Sequence, residues 1–543
     1  MVPRAVLLVL WGGCVAAPDD RPPHDTDPPG DSGVDTARDS DSAPPVDSDS
    51  SPPVDTSVDT DTAAPTPEER IAALDPAVWL RLDELGLANR ASVSTWTSLA
   101  GTASQPESGR APTYRDNTLP VPEVVRFDGV DDHLVLGSGP FVAADGAMTV
   151  FAVLSTEDRE GHLVGIGHRE PGGLARDGHA LVVTEGRLDL VLGDGDLELV
   201  SLRGQGPAVS DGLPHVVSAV VRPRATVVFL DGEVGGMTAA MPPTRQLATL
   251  TRATVGAADG EALDLALSPL AMDLAELLVF PRALDTCARW EVEAYLAARH
   301  GLGVARQVTP PHVRHRVGSL DPVDGALVDA WPHETATVSV VGAAWNTDEV
   351  ERPSLRLPEA APPRVRFDGV DDRLDLSLDV FEAGLPTPVS VLAVLGLRGA
   401  RGHVLGSGAG VPDRLRTFGA AVVADEGRLH LKAFGLSTGT SVSHPTDLVD
   451  EALHLVEADV TRTGLGLAVD GLRVDRAGVT EVPFLAKASL GASNGAGTGA
   501  SIDPVAVDVS ELRVYRYLLD ACARELATAE LRSTYDLPSP VGP

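Results

Sequence analysis

Val125-Arg126-Phe127-Asp128-Gly129-Val130-Asp131-Asp132 occurs twice in this chain, returning 240 residues later as Val365-Arg366-Phe367-Asp368-Gly369-Val370-Asp371-Asp372. A repeat of this length at one period marks a duplicated unit, and further matches extend it in both directions. Gly186-Arg187-Leu188 returns as Gly427-Arg428-Leu429, and His215-Val216-Val217 as His454-Leu455-Val456. Asp231-Gly232 returns as Asp470-Gly471. Glu276-Leu277-Leu278-Val279-Phe280 returns as Glu511-Leu512-Arg513-Val514-Tyr515, and Cys287-Ala288-Arg289 as Cys522-Ala523-Arg524. The matches keep their order. They predict two tandem domains, 68–303 and 313–538, joined by a linker at 304–312 that contains Pro310-Pro311. Consecutive prolines disfavour helix in the residue before them and read as a stiff, extended connector.

Within each copy the pattern is β. Val150-Phe151-Ala152-Val153-Leu154 and Val389-Ser390-Val391-Leu392-Ala393-Val394-Leu395 are short apolar runs, of the length of a strand buried on both faces. Asp231-Gly232 and Asp470-Gly471 stand between β-rich runs, which is a hairpin signal. Glu185-Gly186 and Glu426-Gly427 turn the chain in the same way. Many short strands separated by turn residues predict an all-β sandwich or barrel. Each copy closes on one helix. Asp285 caps a helix that stops at Gly301, and Asp520 caps the second, which runs to about Arg532.

The first 67 residues read differently. A short basic start, Met1 to Arg4, precedes apolar Ala5 to Trp11, then Gly12-Gly13-Cys14. That is the layout of a secretory signal. Residues 1–14 resemble a bacterial lipobox, in which Cys14 would be lipidated and become the new N-terminus. Residues 15–67 are built from Asp, Ser, Thr and Pro, as in Asp39-Ser40-Asp41-Ser42, with no apolar periodicity. Such a segment cannot bury enough surface to offset its ordering entropy, so a disordered, solvated stalk is expected.

Composition narrows the function. The formal charge is -35 and the only lysines are Lys432 and Lys487. Nucleic-acid partners are therefore not expected, because affinity for phosphate backbones comes from Lys and Arg. Aromatics are 4%, few for a cleft that stacks many sugar rings. Three cysteines, Cys14, Cys287 and Cys522, make neither a disulfide scaffold nor a zinc site. Export favours oxidation, but bridging Cys287 to Cys522 needs their Cα atoms within about 7 Å. Buried free thiols are the expectation.

The repeat resembles the laminin-G-like, concanavalin-A-like lectin/glucanase superfamily. Four features carry the resemblance: Trp79-Leu80-Arg81-Leu82-Asp83 with Val93-Ser94-Thr95-Trp96; the Phe-Asp-Gly-Val-Asp-Asp phrase at 127–132 and 367–372; the His-Val-Val strand followed by Asp-Gly; and Ala275 to Leu284 leading into the closing helix. The second copy departs where Phe280-Pro281-Arg282-Ala283-Leu284 becomes Tyr515-Arg516-Tyr517-Leu518-Leu519, losing the proline at the entry to its helix. The resemblance implies a jelly-roll of two antiparallel sheets in each copy. It names no ligand, because the fold hosts lectins, adhesion modules and hydrolases alike.

Hydrolases of this superfamily carry E-x-D-x-E on one strand, where alternation puts the three carboxylates on one face. The nearest approach is Glu457-Ala458-Asp459, which lacks the third carboxylate because Thr461 stands there. Glu457 and Asp459 are expected to face solvent, and the chain is read as non-catalytic. Asp128, Asp131 and Asp132, with Asp368, Asp371 and Asp372, are candidate calcium donors. The simpler reading is turn chemistry, since Asp and Gly form tight turns by local hydrogen bonds. His215 and His454 are expected to be packed or hydrogen-bonded strand residues, and Trp96 and Trp331 to be core rather than sugar platforms. The functional expectation is an exported outer-membrane lipoprotein, or a protein of the cell surface or periplasm, that binds an extracellular glycan or protein. It would need no cofactor except possible calcium. A structural envelope or adhesion protein without a small ligand is the alternative, and a glycoside hydrolase of the same fold a third.

Overall fold

The computed structural model describes residues 65–539 apart from several internal stretches, among them 169–176, 240–252, 333–342, 377–387, 479–487 and 495–500. Cys14 and all but the end of the expected stalk lie outside the described residues. No helix among the described residues is long and apolar enough to cross a membrane.

Among the described residues the chain is an all-β protein of four eight-stranded antiparallel sheets, two to each sandwich, with two further two-stranded ribbons. In the first sandwich one sheet runs Glu233–Ala239, Ala225–Leu230, His215–Arg222, Met148–Ser155, Ala271–Phe280, Glu123–Asp128, Thr113–Asp116. Val78–Arg81 pairs beyond Glu123–Asp128 on the same edge of the long central strand Ala271–Phe280. The facing sheet runs Leu197–Ser201, Arg187–Asp194, Asp177–Thr184, Glu160–His168, Ala253–Val255, Leu134–Leu136, Thr102–Ser104, Thr95–Thr97. The second sandwich repeats both orders strand for strand, with Ala506–Tyr515 as its long central strand and Val313–Arg316 beside it. Each sandwich encloses its own apolar core. Trp96 and Trp331 are fully buried there, as expected. Their indole N–H groups donate to the Arg81 and Arg316 carbonyls at 2.8 and 3.0 Å, which meets the one polar need of a buried tryptophan.

Three α-helices accompany the sheets among the described residues. α1, Pro67–Ala73, was not expected, although Thr66-Pro67-Glu68-Glu69 carries a capping box that closes in both directions. α2, Thr286–His300, is capped by Asp285 and ends at Gly301, whose φ is 69°. α3, Ala521–Tyr535, is capped by Asp520 and runs three residues further than expected, to Asp536 in the left-handed conformation. The missing proline does not alter the entry to α3. Leu519 N–H donates to the Ser390 hydroxyl at 3.0 Å, as Leu284 N–H does to Thr149 at 2.9 Å.

The expectation of buried free thiols is overturned. Cys287 and Cys522 are bridged, with Cα atoms 5.6 Å apart. Cys287 is exposed and Cys522 half-buried. The sequence could not place the two helix starts against each other, because that depends on how the sandwiches dock. Around the bridge, Thr286 donates its N–H and its hydroxyl to Asp520 Oδ2, both at 2.9 Å. The Arg222 guanidinium lies 5.2 Å from the centre of the Tyr517 ring. The linker is tied to both sandwiches: Ala305 N–H donates to the Asp231 carbonyl, and the Thr309 carbonyl accepts from Tyr517.

Candidate functional site

The repeated Asp-rich phrase forms the same turn in both copies. It leaves the strand Glu123–Asp128 or Arg364–Asp368 at a glycine with φ of 74° (Gly129) or 82° (Gly369). A Cβ at Gly129 would sit 2.9 Å from Ala271 N, and at Gly369 2.5 Å from Ala506 N, so the turn admits only glycine. Asp128 Oδ1 accepts from the N–H groups of Val130, Asp131 and Asp132, and Asp132 Oδ2 accepts from Asp128 N–H at 2.9 Å. Asp368 and Asp372 repeat the pattern at 2.7, 3.4 and 2.6 Å. Val130 and Val370 stand at the tips, 73% and 72% exposed. Burial, with the neighbouring charges of Asp128 and Asp131, pushes the Asp132 carboxyl up to about 6 against the bond from Asp128 N–H; burial with Asp368 and Asp371 does the same to Asp372.

Three carboxylates in each turn bring one oxygen apiece within 4.8 Å of one another, so either cluster could gather round a cation. Calcium takes six to eight oxygens. Asp128 Oδ1 already accepts from three backbone amides and Asp132 Oδ2 from one, so the cluster by itself falls short of calcium's shell and further ligands would have to come from elsewhere. Turn hydrogen bonds account for where Asp128, Asp132, Asp368 and Asp372 sit.

The repeated histidines have partners that sequence reading missed. His215 Nδ1 meets Asp231 Oδ2 at 2.7 Å and its Nε2 meets Asp211 Oδ1 at 3.1 Å. His454 does the same with Asp470 at 2.6 Å and Asp450 at 3.1 Å. The missed signal was local: an Asp four residues before each histidine, and the Asp of the Asp-Gly hairpin after it. Each hairpin Asp also accepts from the N–H that follows the histidine, at 2.9 and 3.0 Å. A ring with a carboxylate at both nitrogens must donate from both, so the imidazolium is the form that satisfies them. Hydrogen bonds to Asp231 and then Asp211 raise His215 above the usual histidine range. At His454 burial pulls downward, and the bonds to Asp470 and Asp450 outweigh it. In a catalytic triad the second nitrogen faces a nucleophile; here it faces another carboxylate, and the chemistry is ion pairing.

The sign of the pH effect follows. A histidine whose folded pKa is raised adds stability that is complete below its unfolded value near 6.5 and is lost as pH rises through the higher folded value. A His454→Gln variant should lose the part of the stability–pH slope above pH 6.5 that His454 contributes, and destabilise the hairpin by about 1–3 kcal/mol at pH 6. Urea denaturation of parent and variant from pH 5 to 8 checks this; an unchanged slope would rule out the charged clamp.

Glu457 and Asp459 do not face solvent, contrary to expectation: they are 6% and 2% exposed. Their face of the strand His454–Val460 lies beneath α3. Arg524 of α3 reaches Glu457 Oε2 at 3.1 Å and Asp459 Oδ2 at 2.9 Å. Arg473 adds a bond to Asp459 Oδ2 at 2.7 Å, and the Ser390 hydroxyl one to Oδ1 at 2.6 Å. The first sandwich solves the same contact with both charges on the helix. Its strand carries Ser218, and α2 carries both Arg289 and Glu293, which bond to each other at 2.8 Å while Ser218 donates to Glu293 at 2.6 Å. These carboxylates dock a helix on a sheet.

A second buried carboxylate recurs just after a β-bulge on each central strand. Glu276 accepts from Trp79 Nε1 at 2.7 Å and faces His300 at 2.9 Å. Glu511 accepts from Arg314, Arg513 and Tyr535 at 2.8, 2.6 and 2.7 Å. The bulge re-aims the side chain toward the closing helix in both copies.

No protein family matches the chain, and no curated protein does. Solved structures that it resembles include domains LG4-5 of the mouse laminin alpha1 chain, at 15% identity over 70% of this chain and 85% of that one, with a TM-score of 0.23. The LG1-3 region of the laminin alpha2 chain is 11% identical over 74% and 63%, with a TM-score of 0.23. The CBM40 of the Ruminococcus gnavus IT-sialidase, bound to alpha2,3 sialyllactose, is 14% identical over 28% and 83%, with a TM-score of 0.24.

Proposed function

We propose that this is a non-catalytic, exported surface protein whose two laminin-G-like sandwiches, 68–303 and 313–538, recognise an extracellular glycan or protein. Residues 1–14 would anchor it through Cys14, in the outer membrane or at the cell surface, and 15–67 would hold the sandwiches away from the lipid. The observation that carries the reading is the pair of identical rim turns. Each exposes a valine that packs no core, on a scaffold with the same strand order in both copies. Core residues repeat because packing demands it, whereas an exposed tip repeated on a loop at the same place in both copies is a position open to a partner. Two copies tied together would gain avidity on a repetitive target. The bridged cysteines support export, since disulfides persist in oxidising compartments. The burial of Glu457 and Asp459 under α3 supports a non-catalytic role.

A glycan-array screen of the purified protein, with calcium and with chelator, tests the proposal. Sugar binding that needs calcium would establish lectin-like recognition and implicate the Asp-rich turns. Binding that survives chelator would keep recognition and remove the metal. Silence in both, together with no capture of extracellular protein, would leave a structural envelope role.

A further inference from the structure

We propose that the Cys287–Cys522 bridge is a thiol-reducible clasp that sets the joint between the two sandwiches. The bridge joins equivalent residues. Each cysteine is the second residue of its sandwich's closing helix, and each helix is capped by an aspartate one residue before it begins. A residue that meets its own counterpart marks a two-fold contact, in which one surface patch pairs with itself. The pairing is imperfect. Thr286 reaches Asp520 with its hydroxyl, but its counterpart Ala521 has no hydroxyl to return to Asp285. The non-covalent part of this contact is therefore lopsided, and the sulfur–sulfur bond supplies what the missing half lacks.

Three features make the bond open to exchange. Cys287 is exposed. A cavity of about 750 Å³ opens beside it, lined by Trp290, Glu291, Ala294, Arg306 and residues of α1, with room for a small thiol. Both sulfurs sit in the first turn of a 15-residue helix, where free N–H groups and the helix dipole favour a thiolate. Asp285, Asp520 and Glu291 oppose that effect, and the exposed guanidinium of Arg306 supports it. A thiolate leaves faster the better it is stabilised.

The chemistry is two exchanges. The thiolate of a small thiol attacks Cys287 Sγ and forms a mixed disulfide, while the sulfur–sulfur bond breaks and its electron pair leaves with Cys522. A second thiol then attacks the mixed disulfide, releases Cys287 as a thiolate and departs as the oxidised dimer of the small thiol. Two electrons pass from two thiols to the bridge. The linker, Thr286 with Asp520, Arg222 over Tyr517 and Ala225 in the apolar cluster of Leu392, Val394 and Leu455 remain, so the sandwiches stay attached while the joint between them loosens.

The test uses the oxidised full chain. It is incubated with glutathione under native conditions, alkylated and mapped by peptide mass, then compared with the untreated protein by limited proteolysis and small-angle scattering. The expected result is native alkylation of Cys287 and Cys522, several-fold faster cleavage within 304–312, and a broader scattering profile. A Cys287→Ser, Cys522→Ser double variant should reproduce the reduced protein without added thiol. A bridge that yields only after denaturation would overturn the proposal, and so would native reduction that changes neither cleavage nor scattering. Should the double variant not fold, the wild-type reduction still decides the matter.

Discussion

Replacing Glu511 with alanine should destabilise the second sandwich by about 3–5 kcal/mol, while the same change at Glu530 should cost less than about 1 kcal/mol. Both carboxylates bind the same arginine. Arg513 donates to Glu511 at 2.6 Å and to Glu530 at 2.8 and 2.9 Å. What differs is burial. The Glu511 side chain is fully enclosed, and it also satisfies Arg314 and the hydroxyl of Tyr535. Removing it strips the closest partner from a guanidinium that is itself almost entirely buried, and leaves the Tyr535 hydroxyl only the long bond to the Ser510 carbonyl at 3.4 Å. Glu530 is 51% exposed, and water takes over when it is gone. Chemical denaturation of the two variants beside the parent separates the cases. Equal losses would mean that Arg513 is held by the pair as a unit and that the buried carboxylate has no special weight.

Asparagine at Asp132 and Asp372 should stabilise the protein at neutral pH. The folded pKa of each is about 6, above the usual carboxyl value of 3.8, and burial is the main cause. A raised folded pKa adds stability that is complete below about pH 4 and is lost as pH rises through about 6, because the folded state holds the proton more tightly than the unfolded one. At pH 7 the ionised, enclosed carboxylates therefore cost something on the order of 2 kcal/mol each, from a shift of roughly two units. Asparagine keeps the oxygen that accepts from Asp128 or Asp368 N–H and discards the charge. The double variant should melt higher than the parent at pH 7, match it near pH 4, and lose the fall in stability between. Calcium sharpens the measurement. An ion held by these turns would raise the parent's melting temperature and leave the variant's unchanged, and the asparagines would then be destabilising when calcium is present. A parent indifferent to calcium, with a variant that melts higher, makes these plain turns that carry a charge penalty.

Much of this was legible in the sequence because it is local. The duplication, the Asp-Gly hairpins, the glycine-dependent turn and the helix caps at Asp285 and Asp520 depend on neighbours within a few residues, where residue type and backbone geometry are directly linked. The capping box at Thr66 was equally local and was overlooked among the Pro and Thr of the segment before it. The partners of His215 and His454 lay within reach of the same reasoning, four residues before and sixteen after each ring.

Residue order alone dictates an all-β chain with two copies of one strand-and-turn pattern, each closed by a capped helix. It also determined that the Phe-Asp-Gly-Val-Asp-Asp phrase turns the same way twice. Which faces are covered depends on how the elements pack. Strand alternation puts Glu457 and Asp459 on one side of the sheet, but it took the docking of α3 to make that side an interior and to supply Arg524 as a partner. Only the tertiary structure brought Cys287 within 5.6 Å of Cys522, across a separation of 235 residues. The reason is the range of the forces. Turns and caps are set by hydrogen bonds to adjacent backbone, whereas the burial of a charge and the meeting of two sulfurs depend on how separate elements pack.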